Sequence, residues 1–387
     1  MIKQHILIFY IYTFLSYTFL FSPIWVLFLL EHNFTMIQVG LIDSIYWLAL
    51  FIFQIPAGLL SDRYPRTYIM ALSSLFVGMA IIVFAFPVSF WVVVFSYVLW
   101  AGGVALKNVG DAAWLFDYMH LSGKEQEFTR VYGIGMGISY VAVGIAGFEG
   151  GFLGNLFSLQ FPILLSGLII LFSALFPFML PCSHITVKKE DFLSQLKDSL
   201  KIVRKKHLLY LLLMIGGIYS AFDAVMIILK QPFLYSAGFS VNQMGIIYLV
   251  FTFVGALASV SMFKVEKILR RRTIAIFSVL PIFSILILLF TQGILAVSGL
   301  LIISFTTGLM MPLMIYYINL EVPSDKRGVM LSYLSVIYTA ILIPLAPFCG
   351  YLADISITIA ILSMMVLCIP LAVLGVIASI FGSLTHK

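Results

Sequence analysis

Long apolar runs separated by short polar segments follow one another along the whole chain. A helix needs about 20 apolar residues to cross roughly 30 Å of hydrocarbon. Runs of about this length occupy residues 6–30, 38–60, 68–86, 90–116, 130–153, 159–181, 207–231, 242–263, 273–290, 294–318, 329–350 and 357–382. The pattern therefore predicts an all-α integral membrane protein with twelve transmembrane helices.

The first apolar run differs from a secretory signal peptide. Lys3 is the only Lys or Arg residue before the apolar run, and the run is too long for a signal-peptide core. No small-residue cleavage site follows it. We expect this segment to remain in the protein as its first span.

The composition agrees with a lipid environment. The chain is 62% hydrophobic and 10% charged, whereas soluble domains carry about 25% charged residues. So few charges cannot coat a water-facing surface of this size. The three cysteines lie in or beside apolar segments without paired spacing, which predicts neither a disulfide framework nor a metal site.

The basic residues predict the orientation of the chain in the membrane. Lys107 and Lys230 lie within or at the end of a span, and all other lysines and arginines lie in alternate connecting segments or near the termini. Because Lys- and Arg-rich segments stay in the cytoplasm, both termini are expected there. The net charge of +6 therefore reflects orientation and does not indicate nucleic-acid binding.

The longest connecting segment divides the chain into an N-terminal six-helix bundle, 1–181, a cytoplasmic linker, 182–206, and a C-terminal six-helix bundle, 207–387. Apolar residues recur at helical spacing in the linker, with charges between them; they are Phe192, Leu193, Leu196, Leu200 and Val203. This pattern predicts an amphipathic helix on the inner membrane surface, with a tether as its simplest role.

A short polar loop follows the second run. It contains Gly58, Leu60, Asp62, Arg63 and Arg66. These residues resemble the signature loop of the major facilitator superfamily, Gly-x-Leu-Ala-Asp-Arg-x-Gly-Arg-Lys, although Pro65 and Thr67 depart from it. The resemblance implies two six-helix halves and an inner latch formed by Gly58, Asp62, Arg63, Arg66 and a carboxylate partner.

Two further segments are similar to sequences of this superfamily. The segment 108–135 resembles a bacterial branch, in which drug/proton antiporter-like members occur, and it supplies Asp117 as the expected partner of Arg63 or Arg66. The loop 322–328 is similar to the turn often found between spans ten and eleven.

Charged residues inside the predicted spans are candidates for coupling or substrate binding, because a charge in hydrocarbon is costly. Lys107 and Asp111 are four residues apart and share a helix face. They could bind a proton or a charged substrate group, or form a neutral pair that packs the bundle. Asp223 could titrate during transport, or pair with Lys230 two turns on.

Other polar and aromatic residues are weaker candidates. Glu149 and Asp43 are expected near the outer interface, where solvation is the simpler interpretation. A central cavity could be lined by Trp100, Tyr219, Tyr316 and Asn319, and also by Trp114 and Tyr317. Aromatic residues in membrane helices, however, more often anchor or pack.

The motifs that are missing narrow the function. No phosphate-binding Gly-x-x-x-x-Gly-Lys loop is present, which argues against ATP-driven transport by this chain. No cluster of catalytic groups predicts an enzyme, and no cofactor is expected. Secondary transport by alternating access is the function that remains.

We expect proton-coupled efflux of amphipathic or drug-like molecules by a monomer in the bacterial cytoplasmic membrane. Its partners would be a small-molecule substrate, protons and the lipid bilayer. One alternative is uptake or export of a specific small metabolite or peptide, with Lys107 on an anionic group. Another is a lipid flippase or sensor without proton coupling.

Overall fold

The fold is known from a computed structural model that describes residues 2–182, 207–270, 272–291, 293–322 and 327–384. Within these ranges the chain is helical and contains no strand. The helices are α1 Ile2–Ser16, α2 Trp25–Glu31, α3 Met36–Arg63, α4 Arg66–Phe84, α5 Phe90–Leu121, α6 Phe128–Leu156, α7 Gln160–Ser173, α8 His207–Ser236, α9 Val241–Leu269, α10 Arg272–Phe290, α11 Ile294–Glu321, α12 Arg327–Ile355, α13 Ile357–Ser363 and α14 Met365–Leu384.

Eleven spans within the described residues are long and apolar enough to cross a membrane. They correspond to the second to the twelfth of the predicted spans. The prediction of a multi-span, all-helical membrane protein is therefore confirmed. The predicted linker helix lies outside the described residues, and so does most of the loop 322–328.

The first predicted span is not one continuous helix, and the prediction of a single helix over 6–30 was wrong. Helix α1 ends at Ser16, α2 begins at Trp25, and the residues between them form turns. Pro23 has no N–H to continue a helix. The Leu20 N–H instead donates to the Ser166 hydroxyl at 2.8 Å, so a neighbouring helix satisfies backbone that the break leaves free.

Two compact units are found among the helices. The first comprises Met1–Phe34, Leu41–Lys188 and Ser240–Leu249, and the second comprises Thr35–Gly40, Lys189–Phe239 and Val250–Lys387. The division into bundles 1–181 and 207–387 stays a prediction.

Close helix packing organises the first unit. A Cβ at Gly103 of α5 would lie 2.9 Å from the Val77 backbone nitrogen of α4, so only glycine allows this approach. Near the other end of α5, Trp114 is fully buried and its indole N–H donates to the Pro181 carbonyl at 3.1 Å. Both contacts are made by α5, the helix that carries Lys107, Asp111 and Asp117.

The second unit has an extensive apolar core. Residues from α8, α10, α11, α12 and α14 contribute to it, and Tyr219 of α8 is completely buried among them. The Tyr219 hydroxyl donates to the Phe277 carbonyl at 3.4 Å. Tyr219 is thus a core residue, in contrast to the expectation that it lines a cavity.

Candidate functional site

A buried ion pair lies in the middle of α5. The Lys107 ammonium contacts the Asp111 carboxylate, with 2.7 Å between Nζ and Oδ2. The two residues are one helical turn apart on one face. Their side chains are only 9% and 15% exposed, so the pair that the spacing allows lies inside the protein.

Helix α1 completes the surroundings of this pair. The Lys107 ammonium donates to the Ser16 hydroxyl at 2.8 Å and to the Tyr12 hydroxyl at 3.3 Å. The Tyr12 hydroxyl in turn donates to Asp111 Oδ1 at 3.1 Å. The ammonium also lies 4.5 Å from the Tyr12 ring centroid and 4.8 Å from that of Tyr17.

All three N–H donors of the ammonium are therefore used, because Asp111, Ser16 and Tyr12 each accept one. The aromatic faces add cation–π attraction. A buried pair of this kind is tolerated only while both partners are charged, since one uncompensated charge in a low-dielectric site is expensive.

The partners on α1 were missed by sequence reasoning. Tyr12 and Ser16 are polar residues four positions apart within an apolar run. That spacing places both on one helix face and is a signal that they share a partner. Which residue they face depends on how α1 packs against α5, and that cannot be read from either segment alone.

The predicted latch residues are brought together at Arg66. Its Nε lies 3.6 Å from Asp117 Oδ2, and its Nη1 lies 3.9 Å from Asp62 Oδ1. Nη1 also donates to the carbonyl and hydroxyl of Ser61. Arg66 and Asp117 are both buried. Gly58 is half-buried near the end of α3.

Arg63, the other candidate partner of Asp117, lies differently. It is exposed at the end of α3, and it forms no ion pair within the part of the chain that the structure describes.

A second pair of charged residues lies in the second unit. Asp223 and Lys230 line a small cavity of about 70 Å³ together with Ser304 and Thr307. The Lys230 ammonium lies 5.1 Å from the Phe251 ring centroid. The remaining lining residues are Met226, Ile227, Leu300 and Ile303. The cavity is too small for a drug-sized molecule, whose sites are about 300 Å³ or larger.

The remaining candidates are dispersed. Glu149 is exposed on α6. Tyr316 is 43% exposed and contacts the Tyr317 ring, and Asn319 has a buried side-chain oxygen without a hydrogen-bond partner among the described residues. Trp100 is different, because it belongs to a group of aromatic rings within the first unit.

These helices and buried charges define a multi-span membrane protein with an ionisable site among its spans. The sequence model of the Major Facilitator Superfamily matches residues 6–341, and the chain belongs to this superfamily. The predicted family is thereby confirmed. The family match supports a membrane transporter of this superfamily rather than an enzyme.

One curated relative is the "Uncharacterized MFS-type transporter YxaM" of Bacillus subtilis (strain 168). It is 27% identical over 238 residues, which is 59% of this chain. The chain spans 58% of the length of that relative.

Solved structures share the fold. A bacterial homologue of the human lysosomal transporter Spinster has a TM-score of 0.78 at 15% identity, over 97% of this chain and 96% of its own. The nucleoside transporter NupG has a TM-score of 0.78 at 13% identity, over 99% of this chain and 100% of its own. A POT family transporter in complex with a thioalcohol-conjugated peptide has a TM-score of 0.73 at 11% identity, over 100% and 97%.

Proposed function

We propose that this protein is a proton-coupled secondary transporter that exports amphipathic, drug-like molecules across the bacterial cytoplasmic membrane. The observation that carries the proposal is the buried Lys107–Asp111 pair with its partners on α1. The pair can exist in two charge states, and each state favours different contacts between α1 and α5.

The proton acts on Asp111 in this proposal. When Asp111 is ionised, it neutralises Lys107 and accepts the Tyr12 hydroxyl proton in a hydrogen bond. When Asp111 takes a proton, the ion pair is lost and the Lys107 charge remains buried with only hydroxyl groups and aromatic rings. The cost of that charge favours a conformation in which Lys107 is rehydrated or paired elsewhere. Protonation is thereby coupled to movement of α1 against α5.

The state of Lys107 argues against the alternative of an anionic metabolite. The three donors of its ammonium are already used by groups of the protein. An anionic substrate would have to displace Asp111 or one of the two hydroxyl groups. A coupling role needs no such displacement.

Arg66 and Asp117 are proposed as the inner latch. The ion pair joins the start of α4 to α5 and is largely shielded from water, so removing one partner would leave the other charge buried and uncompensated. Breaking it should favour conformations that are open on the inner side.

The test uses a bacterial host without its main efflux pumps. Growth inhibition across a chemically broad panel of toxic compounds is measured with the wild type, Asp111→Asn and Glu31→Gln. Glu31→Gln is the control, because it removes an exposed carboxylate. Everted vesicles then measure transport of each resisted compound with and without a pH gradient.

We expect resistance in the wild type and the control, and its loss in Asp111→Asn at equal membrane abundance. Gradient-driven transport by Asp111→Asn at the wild-type rate would contradict the assigned role. Resistance to no compound by the wild type would contradict efflux and favour the specific-metabolite alternative.

A further inference from the structure

Aromatic residues of α3 and α5 form a group in the first unit, on the face of α3 that also carries one carboxylate. Asp43, Tyr46 and Trp47 lie three and four residues apart on α3, so they share one helix face. Helix α5 contributes Tyr97 and Trp100. Ring centroids are 5.4 Å apart for Tyr46 and Trp100, 6.1 Å for Tyr46 and Tyr97, and 5.5 Å for Tyr97 and Trp100.

The carboxylate of Asp43 is only partly satisfied. The Trp47 side chain forms a hydrogen bond with it, but Oδ2 is buried and has no hydrogen-bond partner among the described residues. None of the basic side chains that the structure describes forms an ion pair with Asp43. The Trp100 indole N–H in the same group is likewise buried without a partner in the described ranges. Asp43 is therefore not the solvated interface residue that its position in the sequence indicates.

The chemistry of this group matches an organic cation. A buried carboxylate without a counter-charge needs a positive group or a proton. Aromatic faces attract cations, and their apolar surface also suits the alkyl groups of an alkylated ammonium ion. A metal ion would need several oxygen ligands, and no group of three or more His, Cys, Asp or Glu side chains that could hold one is found among the described residues. A lipophilic cation satisfies both the carboxylate and the rings.

The aromatic group and the Lys107–Asp111 pair are both contacted by residues 16–21. Phe19 and Phe21, in the break between α1 and α2, contact the Trp100 ring at centroid distances of 5.8 and 5.7 Å. Just before them in the chain, Ser16 and Tyr17 contact the Lys107 ammonium. A shift of α1 caused at Lys107 would therefore move rings that touch Trp100.

We propose that Asp43, with Tyr46, Tyr97 and Trp100, binds the transported substrate, and that this substrate is a lipophilic organic cation. That the cation is transported rests on the proposed function, whereas its binding at this site does not. Asp43 neutralises the charge, and the three rings supply aromatic contacts to the apolar part of the cation.

The test measures binding of radiolabelled tetraphenylphosphonium to the purified full-length protein in lipid nanodiscs. The wild type should bind it saturably, and Asp43→Asn should weaken binding at least tenfold. Trp100→Leu should weaken it severalfold, and Asp43→Glu should retain part of it. Matched controls are Glu31→Gln and Trp91→Leu, both exposed residues, which should bind as the wild type does. Neutral triphenylphosphine oxide should compete poorly.

The results separate the site from the proposed function. Wild-type binding by a folded Asp43→Asn variant, judged by size-exclusion chromatography and circular dichroism, would overturn the site, as would the absence of saturable binding by the wild type. Asp111→Asn is expected to lose gradient-driven transport. If Asp43→Asn loses binding while Asp111→Asn still transports with the gradient, the site stands and the proposed coupling fails.

Discussion

Lys107 illustrates how much a single buried charge depends on its neighbours. Its ammonium has a carboxylate, two hydroxyl groups and two rings around it. Desolvation of both charges offsets much of their attraction, so the pair contributes little net stability. Burying either charge without the other costs far more free energy than burying the pair.

This asymmetry can be measured with one single variant and one double variant. Lys107→Met leaves Asp111 buried without its cation, and we expect a loss of about 3–5 kcal/mol in the free energy of unfolding. The double variant Lys107→Met/Asp111→Leu removes both charges and should recover most of that stability. Thermal unfolding in one detergent compares all three proteins. A single variant as stable as the wild type would contradict the buried pair.

At the scale of elements, the break between α1 and α2 is the main departure from regular helices. Discontinuous helices at membrane depth occur where neighbouring protein satisfies the free backbone groups. Here α6 approaches the break so closely that a Cβ at Gly150 would overlap the Leu20 carbonyl oxygen. Glycine at this position lets the two segments touch.

Gly150→Ala should therefore push α6 away from the break. We expect destabilisation of about 1–3 kcal/mol, the usual cost of overpacking, together with impaired transport. Gly137→Ala on the same helix is the matched control, since no atom lies within 4 Å of the position of its added Cβ. Unfolding temperatures of the two variants should differ clearly, and equal values would argue against the close contact.

The start of α3 depends on a carboxylate from α12. Asp354 accepts the Met36 N–H at 2.7 Å and the Ile37 N–H at 3.0 Å, and all three residues belong to the second unit. The contact satisfies two free donors at the helix N-terminus and places a negative charge at its positive end.

Asp354→Ala should cost about 1 kcal/mol, the typical value of an N-cap side chain. The effect should be local, so amide hydrogen exchange at residues 36–39 is the sharper measurement. We expect faster exchange there and little change within α5. Asp354→Asn, which keeps one acceptor oxygen, should show a smaller effect than Asp354→Ala, and the reverse order would contradict a capping role.

At the scale of the whole molecule, secondary transporters alternate between states that expose opposite sides of the membrane. The proposed latch of Arg66 and Asp117 would bias that equilibrium. Asp117→Ala should favour the inward-open state, raising the labelling of cysteines introduced at the inner ends of helices and lowering it at the outer ends. Glu127→Ala, on an exposed carboxylate that pairs with Lys124, is the control. Unchanged labelling in Asp117→Ala would exclude a latch role.

The sequence by itself determined the class of the protein, most of its spans and the fact that Lys107 and Asp111 share a helix face. These features are local: the length of an apolar run follows from the thickness of the membrane, and residues four apart in a helix share a face. The distribution of Lys and Arg likewise predicts that both termini are cytoplasmic.

Only the tertiary structure decided which helix faces meet. It paired Arg66 rather than Arg63 with Asp117, placed Tyr219 in a core, interrupted the first span and buried an Asp43 oxygen without a hydrogen-bond partner among the described residues. Each of these depends on residues far apart in the chain. The lipid-facing and the protein-facing sides of a membrane helix are both apolar, so hydrophobic periodicity does not identify the buried face. Close packing between helices decides which face is buried.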